Sequence, residues 1–456
     1  MSAWLNKIKG NISGRSPEGL LVASFALTIV LGGLLLWLPL SHNGPLGFLQ
    51  ALFTSSSAVC VTGLAVVDTG TKFTVFGQLV ILLLIQAGGL GVMSFAALAY
   101  QLLRRRMTLR AQAALSSAML QQDVGNAFAG LFGRIVRFVL LAELIGFVLL
   151  FLALWPGHGP GHAAYSALFH SVSAFCNAGF SLYPDSLIRL RDNPLLAATI
   201  MALIILGGIG HPVAVDLWQR LTALVHGNDA RGARLTLNSR VALVSTGLLL
   251  LAGFVLLLIF GMTPAEASWG ERINAALFQS VTSRTAGFNT VDMARLAPSS
   301  LFVLVMLMFI GGSPASCAGG IKTTTFSLWL AKLWSSLRGQ QRTQLFGRYI
   351  PDEISRRVSM IIGLSLLWNV LGILLLLETE TATAGVGMHD VVFEQISAFG
   401  TVGLSSGLTP QLSIFGMIWI MASMFVGRLG PLTLAMWMLT RRAPQIRYPE
   451  GRIMIG

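Results

Sequence analysis

A short phrase ending in glycine occurs four times at nearly constant spacing, and this repetition limits the possible folds more than any other feature. The central glycines are Gly63, Gly179, Gly287 and Gly403, separated by 116, 108 and 116 residues in a chain of 456. Each of them is preceded by a stretch of similar pattern, in which a phenylalanine is followed by polar positions that include Ser or Thr. Regular spacing of this kind is typical of internal repeats. The sequence therefore predicts four copies of one unit, each presenting a glycine-ended loop at an equivalent place.

The composition places these units in a membrane. Hydrophobic residues make up 54% of the chain and charged residues 11%, which is too little charge to cover a soluble protein of this size. Uncharged runs cover 19–67, 73–103 and 241–265, and each can hold a spanning helix of about 20 residues. The first run is too long for the core of a signal peptide, so it predicts a retained helix.

The net charge of +13 is sorted between loops, which argues against nucleic acid as a partner. If the first segment is cytoplasmic, 23 of the 31 Lys and Arg residues lie inside, five lie outside and three lie at membrane depth. The positive-inside rule then places both termini in the cytoplasm. The three cations at depth are Arg284, Lys322 and Arg428. The three cysteines lack paired spacing, so neither a disulfide framework nor a metal site is indicated.

The pattern of each quarter of the chain predicts a spanning helix, a half-helix, the glycine loop and a second spanning helix, in that order. The half-helices are too short to span, so we predict that they re-enter. The predicted fold is an all-α membrane protein with eight spanning helices and four re-entrant half-helices around one pseudo-four-fold pore. The predicted first spanning helices are 20–40, 132–154, 241–260 and 358–377, the half-helices are 46–59, 163–175, 275–283 and 390–399, and the second spanning helices are 73–103, 194–217, 299–334 and 411–440.

These segments divide the chain into alternating membrane and cytoplasmic parts. The predicted parts are a cytoplasmic N-terminus at 1–19, repeats at 20–103, 132–217, 241–334 and 358–440, cytoplasmic linkers at 104–131, 218–240 and 335–357, and a cytoplasmic C-terminal tail at 441–456.

The four loops predict an ion filter. Non-helical backbone at membrane depth is tolerated only where it is buried in protein or faces water. Four equivalent loops meet around a common axis, where rings of carbonyls replace the hydration shell of a monovalent cation. Glycine reaches positive φ without steric cost, and the half-helices direct their partly negative ends at the pore. A single such loop is more often a plain turn, but four at regular spacing favour a filter. The predicted filter residues are Val61, Thr62, Gly63, Asn177, Ala178, Gly179, Thr285, Ala286, Gly287, Thr401, Val402 and Gly403.

A run of weak helix formers interrupts the second spanning helix of the third quarter. Glycine and proline both disfavour a helix interior, so we expect a break that places a loop in the conduction path. The alternative is a small-residue patch for close helix packing. The predicted gate consists of Gly311, Gly312, Ser313, Pro314, Ala315, Ser316, Cys317, Ala318, Gly319 and Gly320, together with Lys322 and Arg428.

The ionisable residues at depth leave several interpretations open. Arg428 is either a fixed charge that raises the barrier for cations or a structural group, paired with Glu143 or with carbonyls of the broken helix. Lys322 invites the same two interpretations. Arg284 is expected to point behind the filter and brace it. His170 is expected behind its half-helix, and His211 at a helix end. Acids near the outer mouth either concentrate cations or are ordinary solvated loop charges; they are Asp68, Asp185, Asp292 and Glu394.

The four loops resemble those of the Trk/Ktr/HKT superfamily of potassium transporters, and the likeness extends over almost the whole chain. The segments 311–325 and 427–433 are similar to the KtrB membrane subunits of that superfamily, although Ala318 stands where many relatives have glycine. All four filter positions carry glycine, as in potassium-selective members. The resemblance implies potassium uptake with K⁺ at the filter carbonyls, an intramembrane gate, Na⁺ as an activator and no covalent cofactor. It also implies a homodimer in the bilayer of the bacterial plasma (inner) membrane, controlled by a cytosolic nucleotide-binding ring of the KtrA type.

Two other classes of function compete with a potassium channel-like pathway. An alternating-access secondary transporter is expected to show inverted halves and coupling carboxylates at mid-depth, whereas these repeats run parallel and Glu143 is nearly the only acid there. An intramembrane enzyme needs a catalytic set of side chains. The sequence offers no such set, so we do not expect an enzyme.

Overall fold

The computed structural model describes residues 17–91, 128–157, 159–225, 235–263, 267–340, 342–381 and 385–438. This part of the chain is mostly helical. The helices are α1 (Pro17–Trp37), α2 (Phe48–Val59), α3 (Thr69–Lys72), α4 (Val75–Leu90), α5 (Phe128–Leu154), α6 (Pro160–Phe175), α7 (Pro194–Gly208), α8 (His211–Val225), α9 (Leu237–Phe260), α10 (Trp269–Thr282), α11 (Pro298–Phe309), α12 (Thr323–Leu337), α13 (Asp352–Glu380), α14 (Met388–Gly400), α15 (Ile414–Leu429) and α16 (Pro431–Met438). The strands β1 (Gln344–Leu345) and β2 (Arg348–Tyr349) form an antiparallel hairpin.

One order of elements occurs four times along the described chain. A long helix, a half-helix and a second helix follow one another as α1, α2 and α4, as α5, α6 and α7, as α9, α10 and α11, and as α13, α14 and α15. We refer to these groups as units 1 to 4, and to α2, α6, α10 and α14 as the half-helices. The long helices and half-helices lie close to their predicted bounds. Predicted segments that reach into 1–16, 92–127, 226–234 or 439–456 extend outside the described residues.

The second helices differ from the prediction. The expected break in unit 3 is present between α11 and α12. Unbroken helices over 194–217 and 411–440 were wrong, because α7 and α8 meet at 104° and α15 stops at Leu429 before α16 begins at Pro431. In unit 1, α4 ends at Leu90, and the predicted remainder beyond residue 91 lies outside the described ranges.

Local backbone chemistry explains these breaks. Gly91, Gly210 and Gly430 all have positive φ, at 84°, 82° and 87°, a conformation that ends a right-handed helix and that glycine adopts most readily. Pro212 and Pro431 follow closely, and a proline ring cannot continue a preceding helix because it lacks the N–H and clashes with the earlier turn. Sequence periodicity alone does not reveal such a break, because the residues next to it on both sides are mostly apolar.

The breaks reduce the number of continuous spans. Within the described ranges, three helices are long and apolar enough to cross a membrane, at Gly133–Gly157, Leu237–Phe260 and Asp352–Glu380, and the bent pair α7 and α8 makes a fourth. Of the eight predicted spanning helices, the second helices of units 2, 3 and 4 are therefore interrupted rather than continuous. Only 11% of the most apolar stretch of α9 is buried inside the protein. Its outward leucines therefore match the hydrocarbon of a bilayer rather than water.

The units pack in a closed cyclic order. Each long helix packs against the half-helix of its own unit. Each second helix also packs against the half-helix of the next unit, with α4 on α6, α7 on α10, α11 on α14 and α15 on α2. The last of these contacts brings unit 4 back to unit 1. All four half-helices are thereby held at the centre of the molecule.

Glycines in the long helices permit this close packing. In each unit, a Cβ on one glycine would overlap a polar side chain of the half-helix; the four pairs are Gly32 with Ser55, Gly146 with Ser171, Gly253 with Ser280 and Gly372 with Gln395. The three serine hydroxyls donate to long-helix carbonyls at 2.6–2.7 Å. In unit 4, Gln395 is held instead by Asn369, Trp419 and Ser423. Each half-helix is therefore fixed in place by a buried polar contact.

Candidate functional site

The four glycine loops meet in one closed ring. A Cβ on each central glycine would overlap a backbone carbonyl of the next loop; the pairs are Gly63 with Ala178, Gly179 with Ala286, Gly287 with Val402 and Gly403 with Thr62. The last pair joins the fourth loop to the first. Only glycine leaves room for this approach. All twelve residues predicted for the filter lie in these loops, which the structure brings together from four distant parts of the chain.

The four loops share one backbone conformation. The central glycines have φ values of 94°, 68°, 79° and 94° in units 1 to 4. The residue two positions earlier is also left-handed in every loop: Val61 (56°), Asn177 (59°), Thr285 (78°) and Thr401 (50°). Left-handed residues alternating with right-handed or extended ones turn successive peptide groups the same way, so neighbouring carbonyls point to one side.

The carbonyls that line the ring are buried but unpaired. Within the described part of the chain, no donor reaches the carbonyl oxygens of Thr62, Ala178, Ala286 or Val402, although all four residues are fully buried. A buried carbonyl without a partner is unfavourable unless water or a ligand satisfies it. The hydroxyls of Thr62 and Thr401 are buried and unpaired in the same described set. The ring therefore offers oxygen ligands and no opposing donor.

The half-helices hold the N–H groups on the other side of each loop. The N–H groups of Thr62, Ala178 and Val402 donate at 2.7–2.9 Å to carbonyls five residues earlier, in the half-helices. The hydroxyls of Ser57 and Ser397 accept from the N–H groups of Gly63 and Gly403 at 3.0 and 3.1 Å. The donors thus face the half-helices and leave the carbonyls to the ring. The partly negative C-terminal ends of the half-helices approach this ring and favour a cation there.

We define the inner end of the ring by the left-handed residues two positions before each central glycine. The predicted gate segment lies against this end. A Cβ on Gly319 would overlap the Thr401 side chain, and one on Gly311 would lie 3.3 Å from the Thr285 methyl carbon. The segment also pairs with other units. Ser313 N donates to Gly208 O at 2.9 Å, and Gly320 N donates to Gly427 O at 3.2 Å. Residues 311–320 thus connect the broken second helices of units 2 and 4.

The cations at depth bind backbone carbonyls of this region. Arg428 donates to the carbonyls of Cys317 and Gly88, and Lys322 donates to the carbonyl of Ala318. Arg428 therefore joins unit 4 to the gate segment and to unit 1. Among the described residues Arg428 forms no salt bridge. Of the alternatives for a structural role, the ion pair with Glu143 is therefore not observed, whereas hydrogen bonds to backbone carbonyls are.

Arg284 and the two histidines occupy structural positions. Arg284 Nη2 donates to Gly311 O at 3.1 Å, and Nη1 donates to Thr246 O at 3.4 Å, so its charge points behind the loop, as expected. His170 is buried in its half-helix. His211 begins α8, where its N–H and Nδ1 both contact Ala315 O. This last contact ties α8 to the gate segment.

The outer acids separate into two groups. Asp68 caps α3, and Asp185 and Asp292 pair with arginines at the surface, as solvated loop charges do. Glu394 is instead fully buried, so the interpretation as a solvated loop charge was wrong for this residue. Glu394 directly follows the buried phenylalanine of its half-helix, and the equivalent positions are Thr54, His170 and Gln279. A polar residue at this position in all four units was the signal that could have identified it.

Comparison with known proteins places the chain among cation transporters. Residues 3–445 match the TrkH family, described as cation transport proteins. The chain is 39% identical to Ktr system potassium uptake protein B of Bacillus subtilis over 97% of both chains. It is 36% identical to potassium/sodium uptake protein NtpJ of Enterococcus hirae, again over 97% of both. The fold resembles the crystal structure of the potassium transporter TrkH from Vibrio parahaemolyticus, with a TM-score of 0.72 and 20% identity over 94% of this chain and 86% of that one.

Proposed function

Since the chain belongs to the TrkH family of cation transport proteins, we propose that it takes up potassium across the bacterial plasma membrane through the ring of glycine loops. The observation that carries this proposal is the set of buried, unpaired carbonyls from four units in one closed ring. Relatives similar over nearly the whole chain are named for potassium uptake. The family is one of transporters and not of enzymes.

In the proposed mechanism the ring is a selectivity filter in a pseudo-four-fold pore. A dehydrating K⁺ exchanges water for the carbonyls of Thr62, Ala178, Ala286 and Val402, with the neighbouring loop carbonyls forming further ligand layers. The hydroxyls of Thr62 and Thr401 contribute at the inner end. The left-handed backbone fixes these oxygens before the ion arrives. Little reorganisation is then needed as an ion passes.

The segment 311–320 acts as the gate in this proposal. It lies against the inner end of the ring, and Arg428 ties it to unit 1 through the carbonyls of Cys317 and Gly88. A guanidinium that joins two carbonyls closes the path sterically and also places a positive charge below the filter. Opening requires that these contacts separate, and Lys322, bound to the Ala318 carbonyl, moves with the segment.

Partners and orientation complete the proposal. We infer that both termini are cytoplasmic, that two copies associate in the membrane, and that a cytosolic nucleotide-binding ring of the KtrA type controls the gate. The exposed arginines Arg338, Arg342 and Arg348 offer a basic surface for that ring. Sodium activation is part of the proposal, and the name of the Enterococcus hirae relative, which includes sodium, supports a role for this ion.

The first test is the ion preference of the purified chain in proteoliposomes. We expect potassium and rubidium to pass well ahead of sodium, and Gly403→Ser to reduce this preference about tenfold or more, since a 1.4 kcal/mol change in relative binding is tenfold. The matched control is Gly261→Ser, because Gly261 is also left-handed at 81° but a Cβ there would meet no atom within 4 Å. Flux coupled stoichiometrically to a driving ion, with ion preference untouched by Gly403→Ser, would replace the proposal with an alternating-access transporter.

A further inference from the structure

Each half-helix carries one buried polar side chain directly after its buried phenylalanine. The four residues are Thr54, His170, Gln279 and Glu394, all less than 3% exposed. Because they occupy equivalent positions in four units of the same order, they face equivalent surroundings, close to the segment that leaves each loop. The four side chains differ in chemistry, being a hydroxyl, an imidazole, an amide and a carboxyl. They therefore differ in the hydrogen-bond partners that they can hold.

In unit 4 the carboxyl group holds the segment that leaves the fourth loop. Glu394 Oε1 accepts hydrogen bonds from the Ser405 hydroxyl and, at 3.3 Å, from the N–H of Thr409. Its other oxygen accepts from the Thr409 hydroxyl at 2.8 Å. Ser405 lies two residues after the central glycine, Gly403. One side chain thus ties the half-helix before the filter to the backbone after it.

Unit 2 contains the same tie with different chemistry. His170 Nε2 lies 3.0 Å from the hydroxyl of Ser181, which again stands two residues after its central glycine, Gly179. His170 Nδ1 lies 2.8 Å from the carbonyl of Ser166 in the same half-helix, so the imidazole bridges the half-helix and the segment after the loop. Ser181 in turn accepts from the N–H of Tyr183 at 3.0 Å.

Units 1 and 3 lack this tie in the described structure. The Thr54 hydroxyl donates to Gln50 O in its own helix at 2.9 Å. The Gln279 amide has no partner among the described residues. The residues two positions after their glycines are Ala65 and Asn289, of which the alanine has no polar side chain and the asparagine contacts Val291 O. Because the loops follow one another around the ring in chain order, the tied units 2 and 4 lie opposite each other.

We infer that Glu394 and His170 are positioning residues that brace two opposite loops of the filter and so set its ion preference. This inference rests on the proposed function of the ring. These side chains fix the positions of the two opposite loops in units 2 and 4. The loops of units 1 and 3 are held by contacts with neighbouring loops and with their half-helices. Loss of a brace leaves buried donors unpaired and lets the carbonyls after the glycine relax toward spacings that suit sodium as well as potassium.

The experiment compares the sodium-to-potassium permeability ratio of alanine variants at the four equivalent positions. Purified full-length chains in proteoliposomes carry Glu394→Ala, His170→Ala, Thr54→Ala or Gln279→Ala, and thermal stability is recorded for each. We expect the first two to raise the ratio about tenfold, from the loss of the buried hydrogen bonds that hold the segment after the loop, and the last two to stay within about twofold of wild type. Equal effects at all four positions would assign them to general packing and overturn the inference.

Two further variants separate hydrogen bonding from charge and from misfolding. Glu394→Gln keeps an acceptor for Ser405 without the charge, so bracing predicts a nearly wild-type ratio, and a shift equal to that of alanine would overturn it. Ser405→Ala removes the partner of Glu394. We expect the double variant Glu394→Ala and Ser405→Ala to have the same sodium-to-potassium permeability ratio as Glu394→Ala alone, since the two residues share one interaction.

The outcomes also separate this inference from the proposed function. If Gly403→Ser reduces the ion preference while the variants at Glu394 and His170 match their controls, only this inference fails. If Gly403→Ser has no effect either, the proposed function fails as well.

Discussion

At the scale of single residues, the ring depends on backbone conformations that most side chains avoid. Val61, Asn177, Thr285 and Thr401 are all left-handed. Asparagine adopts positive φ more readily than most residues, but the other three are β-branched and rarely do so, at a cost on the order of 1–3 kcal/mol each. Hydrogen bonds to the half-helices impose this conformation. In addition, the side chains of Asn177 and Thr285 lie 3.3 Å apart and join two neighbouring loops. Two of the strained residues, Thr285 and Thr401, lie directly against the gate segment.

Substitution of Arg428 distinguishes its two proposed roles. Its guanidinium contacts two carbonyls in different units, a geometry that the point charge of lysine does not reproduce. We expect both Arg428→Gln and Arg428→Lys to raise potassium flux several-fold in proteoliposomes that lack any regulatory partner. Arg295→Gln, at an exposed surface ion pair, is the control and should leave flux unchanged. If Arg428→Lys stays at the wild-type rate while Arg428→Gln does not, the charge alone forms the barrier, and the bridging role is excluded.

The sequence predicted the positions of the four loops and of the break in unit 3 better than the contacts that support them. Glycine at four regular positions and a run of weak helix formers have specific backbone consequences. The loops and the helix break could therefore be predicted directly from the sequence. The position of Glu394 could not, because a single acid near a predicted loop gives no sign of whether its partners are water or buried hydroxyls. For Arg428, carbonyls of the broken helix in unit 3 could be proposed as partners, but the carbonyl of Gly88 could not, because the end of α4 was not predicted there.

At the scale of elements, the second helices end at one depth because equivalent glycines occur there. Gly88, Gly207 and Gly427 each approach a half-helix so closely that a Cβ would overlap the carbonyl of Val59, Phe175 or Phe399. Three residues later, Gly91, Gly210 and Gly430 turn left-handed. The first of these glycines thus allows close packing, and the glycine three residues later ends the helix. The sequence revealed this only in unit 3, where the run of small residues is long enough to be obvious.

The long helices offer a matched test of close packing. A Cβ on Gly253 of α9 would lie 2.6 Å from the Ser280 hydroxyl and 2.8 Å from a methyl of Leu307, whereas a Cβ on Gly247 of the same helix would meet nothing within 4 Å. Overpacking of this kind costs about 1–3 kcal/mol, while alanine in an open helical position is favoured over glycine by about 1 kcal/mol. We expect Gly253→Ala to lower the thermal unfolding temperature in detergent by a few degrees and Gly247→Ala to leave it equal or higher. Equal melting of the two variants would contradict glycine-mediated packing.

At the scale of the whole molecule, the cyclic order of the units explains how one chain builds a symmetric centre. Each second helix packs against the half-helix of the next unit, and the last packs against the first. Four-fold spacing in the sequence predicted that the loops meet, but not in which order they neighbour one another. That order depends on contacts between helices far apart in sequence. Only this packing order places unit 2 opposite unit 4, so that His170 and Glu394 brace loops on opposite sides of the ring.

The orientation of the whole chain in the membrane follows from its charge distribution and chain direction together. From the ring, the chain runs through the gate segment and α12 to the hairpin Gln344–Tyr349, so the hairpin lies on the side of the gate and of most arginines, which the positive-inside rule assigns to the cytoplasm. The native cysteines are buried, so single new cysteines at exposed Ala294 and Gln344 report on each face. We expect a membrane-impermeant thiol reagent to label Ala294→Cys in intact cells and Gln344→Cys only after the membrane is opened, with unsubstituted chain as the control for background. The reverse pattern would place the gate outside, and a cytosolic ring could then no longer control it.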